Sequence, residues 1–218
     1  MNKGFLVLIL AAVAAAGAFA QPKLEFSAGL GGFFTSDFGG GYDCFHPSNY
    51  HVKGITPYAG GGGFAFFDAT FVELSLGFFA ARGVENEYHD SHIYSSEKMS
   101  FTGLDIGLLG KYPFTLGERF TLFPLLGMTY RRFTLAKRDG TRINTPGDFS
   151  ALWFKFGGGV DYAVTGTIYV RLGVVYGIRL ANEREKGELD YYKSSGYNTT
   201  ETSLGHGPDI KLAIGYKY

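Results

Sequence analysis

Two short stretches carry the residues best suited to hold a metal. "CFHPSNYH" contains Cys44, His46 and His51, and "HDSH" contains His89 and His92. A thiol and imidazoles are the soft and borderline donors zinc prefers, and loops spread over one rim of a fold can converge on one ion. The plainer reading is that histidine collects in polar loops because apolar faces exclude it. His206 also lies beside a polar segment. Two glycine runs raise a different chemistry, the cradling of phosphate. Gly60-Gly61-Gly62-Gly63 is followed by Phe64, and Gly157-Gly158-Gly159 by Val160, where a phosphate loop needs a Lys-Ser or Lys-Thr and a helix. With no nucleophile elbow and no zinc-protease helix either, the sequence gives no reason to expect an enzyme or a cofactor.

A third group is less obvious. Glu25, Glu73, Asp105, Lys111, Arg131, Lys155, Asp161, Arg171, Arg179 and Lys211 all fall on one register of a period-two pattern. Such a period belongs to strands, whose successive side chains point to opposite faces. Over residues 168–180, Ile168, Val170, Leu172, Val174, Tyr176, Ile178 and Leu180 share one face. Tyr169, Arg171, Gly173, Val175, Gly177 and Arg179 share the other. A helix would scatter Arg171 and Arg179 around its axis.

The elements that must position these charges follow from the same alternation. It recurs around Leu24–Leu30, Phe71–Phe78, Leu104–Tyr112, Leu122–Arg131, Leu152–Tyr162 and Ile210–Tyr218, with a weaker glycine-rich segment over 55–67. That makes eight strands of about ten residues, the length a tilted strand needs to cross a bilayer. Tight turns are expected at Asp68-Ala69, Leu116-Gly117-Glu118 and Thr165-Gly166-Thr167, and long polar loops at 36–54, 82–98, 134–149 and 181–207. Short and long connections in alternation describe an all-β, eight-stranded antiparallel up-and-down barrel with turns at one rim and loops at the other. Pro124 interrupts one strand, so a bulge is expected there.

Composition agrees. The chain has 218 residues, no formal net charge, 33 glycines and 17% aromatics. The balanced charge gives no reason to expect a nucleic-acid partner. Residues 1–20 have a basic start, an apolar run and Ala18-Phe19-Ala20, the pattern of a cleavable signal peptide, leaving 21–218 as the barrel. Cys44 is the single cysteine, so no internal disulfide is available for an exported chain. One strand face is almost purely apolar, while the other mixes Gly, Ser, Thr and charges. In a soluble barrel the bulky apolar set would crowd a lumen only just wide enough for side chains. Pointed outward into lipid it fits, and closure leaves no unpaired backbone in the hydrocarbon. Tyr112, Tyr162, Tyr216 and Tyr218 then mark one aromatic girdle, and Tyr130 and Tyr176 the other.

The whole span 21–218 resembles the small outer-membrane barrels of the OmpA, OmpX and OmpW type. The resemblance rests on the topology, on "FGGGVDYAVTGTIYVRLGVVYGIRL" and on the closing strand "IKLAIGYKY". It implies an outer-membrane location, lipid as solvent, and a terminal aromatic strand read by the barrel-assembly machinery, a role that falls on Tyr216 and Tyr218.

Two functions are open at this stage. One is a structural or surface-interaction role through long, tyrosine-bearing external loops, with a host or surface ligand. The other is a narrow channel for small, apolar or anionic solutes. Centring a turn on Gly166 sets Asp161 opposite Arg171 as an ion pair. Arg131, Lys155, Arg179 and Lys211 fall nearer the loop rim, with Asp209 the one carboxylate at their level, so an electropositive vestibule is one expectation. Inward glycines, notably Gly61, Gly63, Gly157 and Gly159, leave the space that a channel requires.

Overall fold

A computed structural model describes residues 24–35, 41–43, 50–89, 92–144, 146–180, 198–200 and 205–217. The expected signal segment, Cys44, His46 and Tyr218 lie outside these residues. Eight long strands dominate: β1 (Glu25–Thr35), β2 (Tyr50–Ala69), β3 (Val72–His89), β4 (His92–Lys111), β5 (Phe120–Arg138), β6 (Ala151–Ala163), β7 (Ile168–Arg179) and β8 (His206–Lys217). Each pairs antiparallel with its neighbours in sequence. β1 pairs both β2 and β8, from Glu25↔Lys217 to Phe33↔Asp209, and so closes the cylinder.

Alternation sets the two faces. Leu74, Leu76, Phe78, Leu104, Ile106, Leu108, Leu122 and Leu126 are exposed on the outer wall, as are Leu212 and Ile214. Exposed on an isolated chain, this band is the surface that lipid covers. Tyr112, Tyr162 and Tyr216 are exposed at the turn end, where Phe71 and Phe114 flank the Tyr112 ring at 5.9 and 4.9 Å. Tyr130 and Tyr176 are exposed toward the loop end.

Three local expectations need correction. Residues 82–98 are not a long loop: β3 and β4 stay paired as far as His89↔His92. The strands outrun the apolar alternation because water wets both faces beyond the bilayer, and polarity there no longer alternates. Similarly, Asp139-Gly140, both at positive φ, turns β5 into a short strand at Thr141–Arg142, the backbone shape a two-residue hairpin favours. Second, Asp68 and Ala69 are still in the ladder, opposite Glu73 and Val72, so the turn lies at Thr70-Phe71.

Third, Pro124 makes no bulge. It sits in unbroken register with Gly158 of β6. Its carbonyl accepts from the Tyr112 amide at 3.3 Å. An antiparallel residue aims N–H and C=O at the same neighbour, so the missing donor of Pro124 faces the end of the β4 ladder, where little is lost. The register shifts occur instead between Thr56 and Ala59, Glu87 and Tyr88, and Thr102 and Gly103.

Candidate functional site: the filled lumen

Inward positions of the eight strands carry two ionic layers and an aromatic layer. The layer toward the turns is built on Arg171 of β7. Directly opposite lies Asp161 of β6, whose carboxylate accepts from Nε at 2.8 Å and from Nη2 at 3.0 Å. Nη1 donates to Glu73 of β3 at 3.1 Å and meets Asp68 of β2 at 2.5 Å, while Glu25 of β1 lies 3.7 Å from Nη2. Lys111 of β4 donates to the same Asp68 at 3.0 Å, with Glu25 3.9 Å away. Lys217 reaches Glu25 at 3.5 Å. A planar guanidinium with five donors is suited to such a crowd of carboxylates.

Farther toward the loops, Arg131 of β5 lies opposite Asp105 of β4 and binds it through Nε at 2.9 Å and Nη2 at 3.0 Å. Asp209 of β8 is 3.6 Å from Nη2 and is also the partner of Lys155. Arg131 and Lys155 are each 1% exposed, which removes the expected electropositive vestibule at these two residues. The cations are neutralised inside the wall rather than displayed at a mouth. Lys211 rests over the rings of Phe64 and Phe66, at 4.8 and 5.1 Å from their centres, a cation–π arrangement. Arg179 packs its stem against Gly205 near the loop end.

Above Arg131 the lumen is aromatic. Its guanidinium lies 3.8 Å from the centre of the Phe33 ring. Phe33 meets Phe79 edge-on at 5.4 Å, Phe79 meets Phe133 at 5.5 Å, and Phe133 meets Phe101 at 5.0 Å. Tyr58 completes this buried cluster. Edge-to-face geometry at these spacings is the arrangement aromatic quadrupoles favour.

The inward glycines seat these rings. A Cβ on Gly60 would strike Phe33, one on Gly159 would strike Phe123, and one on Gly215 would strike Tyr169. Gly157 lies in register between buried Leu125 and Val175. Gly61 and Gly63 were expected to line the interior, but they face outward. Phe64 and Phe66 are buried, which puts the odd-numbered glycines on the other face, and the exposed Phe78 ring covers Gly63. Between the two ionic layers the described residues leave a cavity of about 20 Å³, bordered by Glu73, Phe123, Lys155 and Arg171. That holds about one water molecule.

One carboxylate of this network, Asp68, is absent from the sequence candidates for the lumen because it reads as part of a turn; Asp209, the one carboxylate expected at the level of the loop-side cations, does meet two of them, Lys155 and Arg131. The ring stack was missed too, since each Phe interrupts an inward register that otherwise reads as small and polar. Of the proposed metal ligands, His51 lies opposite His89, and His89 opposite His92, in one cross-strand row of backbone positions.

The sequence profile described as "Outer membrane protein beta-barrel domain" matches residues 5–207. This chain belongs to that family. It is an outer-membrane β-barrel of the bacterial cell surface. Among solved structures, the barrel is similar to the outer membrane protein OprG of Pseudomonas aeruginosa, with a TM-score of 0.52 at 11% identity over 90% of this chain and 96% of that one. It also matches Neisserial surface protein A, at 0.46 and 12% over 89% and 97%. Ail of Yersinia pestis, crystallised with the heparin analogue sucrose octasulfate, matches at 0.40 and 11% over 91% and 100%. At these identities the likeness concerns fold. No functionally curated protein matches the chain.

Proposed function

We propose that this outer-membrane barrel is a closed structural platform that serves surface interaction through the polypeptide beyond its loop rim, rather than a solute channel. The observation that carries this reading is the neutralised lumen. Arg131–Asp105, Lys155–Asp209 and the Arg171 cluster span the interior in buried, multiply bonded layers, and the Phe33–Phe79–Phe133 stack lies over them. A solute path would have to break these pairs, and stranding one buried charge costs about 3–5 kcal/mol.

The paired β3–β4 extension and the Asp139-Gly140 hairpin carry backbone past the apolar band, where a host or surface ligand is within reach. Tyr88 and Tyr94 on the β3–β4 extension, and Tyr50 at the loop end of β2, are residue types that give adaptable contact surfaces. In the same reading, residues 1–20 are removed on export, and Tyr216 and Tyr218 are read by the assembly machinery.

Planar-bilayer recording tests the first half. The purified barrel is expected to give no discrete conductance steps; reproducible steps would establish the narrow-channel alternative. Cell-binding assays test the second half. A variant with its β3–β4 extension shortened by paired deletion should insert normally and lose adhesion, and undiminished adhesion would remove that extension from the proposal.

A further inference from the structure

The outer wall carries a feature that neither lumen nor loops account for. On three adjacent strands the apolar band ends in a cation or a small polar residue at the loop end. β3 runs Phe78, Ala80, Arg82; β4 runs Leu104, Thr102, Ser100; β5 runs Tyr130, Arg132, Thr134 and, past the register shift, Lys137. Arg82, Arg132 and Lys137 are exposed on the lipid-facing side. Among the described residues none of the ion pairs involves them. Arg82 lies opposite Ser100, and Ser100 opposite Lys137. The two cations therefore stand two strands apart, about 10 Å between backbones. Both side chains are long enough to reach a single anion above the small Ser100.

Below that point the wall is concave. Ala59, Ala80, Ser100 and Thr102 line a groove of about 430 Å³, with Arg82 and Lys137 at its edge. Small side chains on β2, β3 and β4 leave a trough, bounded on β5 by Leu135. The trough runs on into the apolar rows of Phe78 and Leu104.

We propose that this groove is a binding site for a phosphate-bearing lipid of the leaflet on the loop side. Its acyl chain fills the trough and its phosphate is held between Arg82 and Lys137, with Arg132 as a further cation on the same wall. The charge is complementary, since a phosphate offers three acceptor oxygens and these cations have no carboxylate partner among the described residues. The occupant is a lipid rather than a peptide because the trough lies on the outer wall and continues into the exposed apolar rows of Phe78 and Leu104, the surface that lipid covers.

The test uses the full-length barrel in detergent, titrated with bisphosphorylated lipid A and followed by native mass spectrometry. A one-to-one adduct is expected. It should weaken at least tenfold in R82Q and in K137Q, further in the double variant, and not at all in R119Q, which removes an exposed arginine at the opposite rim. Heat-modifiable gel mobility confirms that each variant is folded. Equal binding of dephosphorylated lipid A would overturn the proposal, as would unchanged affinity in the double variant. Displacement by millimolar inorganic phosphate would overturn the lipid assignment, because the trough would then contribute nothing.

Discussion

Replacing Arg131 by Met is the sharpest probe of the lumen. Methionine keeps most of the apolar volume of the arginine stem and removes the guanidinium. Asp105 then loses both of its bonds, at 2.9 and 3.0 Å, in a site where it is 3% exposed. Breaking a buried pair from one side costs about 3–5 kcal/mol, because the remaining charge is stranded. Removing both charges, as in R131M/D105L, lifts that penalty, and buried pairs replaced by apolar groups are often neutral in stability. The double variant should therefore be nearer wild type than R131M is. Asp209 keeps Lys155 in either variant, so the second pair does not mask the result. The assay is urea unfolding of the barrel in phospholipid vesicles, followed by tryptophan fluorescence and by gel mobility. A coupling energy above about 1 kcal/mol supports the reasoning. Additivity of the two single variants within about 0.5 kcal/mol, the range for independent sites, refutes it.

Four further outcomes follow from the same geometry. Trp153, the single tryptophan, is 2% exposed on the inner wall, so lipids brominated along their acyl chains should leave its emission nearly unchanged; strong quenching would place the ring on the lipid side. Leu108→Arg puts a charge on the outer band between the girdle levels of Tyr112 and Tyr130 and should cost about 2–4 kcal/mol in vesicle unfolding, the range for the bilayer midplane; a neutral result would mean that this face is not in hydrocarbon. Gly159→Val collides with the Phe123 ring and should cost about 1–3 kcal/mol, part of it recovered in G159V/F123A; a neutral G159V would show that the glycine is no seat. Zinc titration by calorimetry tests the metal-ligand expectation for His51, His89 and His92: saturable heat that H89A abolishes would establish it, and absence of saturable heat would dispose of it.

How much of this was legible beforehand depended on where each turn is centred. Gly166 lies midway between Asp161 and Arg171, so that pair could be read directly. The Asp105–Arg131 pair could not. A turn centred on Gly117 sets Asp105 opposite Thr129, whereas the ladder Lys111↔Leu125 and Phe114↔Leu122 is centred on Glu118. One residue of turn asymmetry shifts the pairing by two. The strand extensions were hidden for another reason. Hydrophobic alternation reports a two-solvent surface, and it fades once water lies on both sides, although Asp139-Gly140 was a turn signal in plain sight. The outer-wall cations were invisible because Arg82, Ser100 and Lys137 are far apart in sequence, and only the β4 register joins them.

Arg171 has a consequence for assembly. It contacts Asp161, Glu73, Asp68 and Glu25, residues that sit on β6, β3, β2 and β1. A growing sheet that has β1 to β7 but remains too open holds Asp161 beside the arginine and leaves the other three carboxylates on the far wall. Only curling to the final radius brings them together. Strand number and stagger set the girth of any barrel from its hydrogen bonds; here one side chain gauges it from within. A hairpin inserted to make a ten-stranded version would widen the cylinder and leave that gauge reading open.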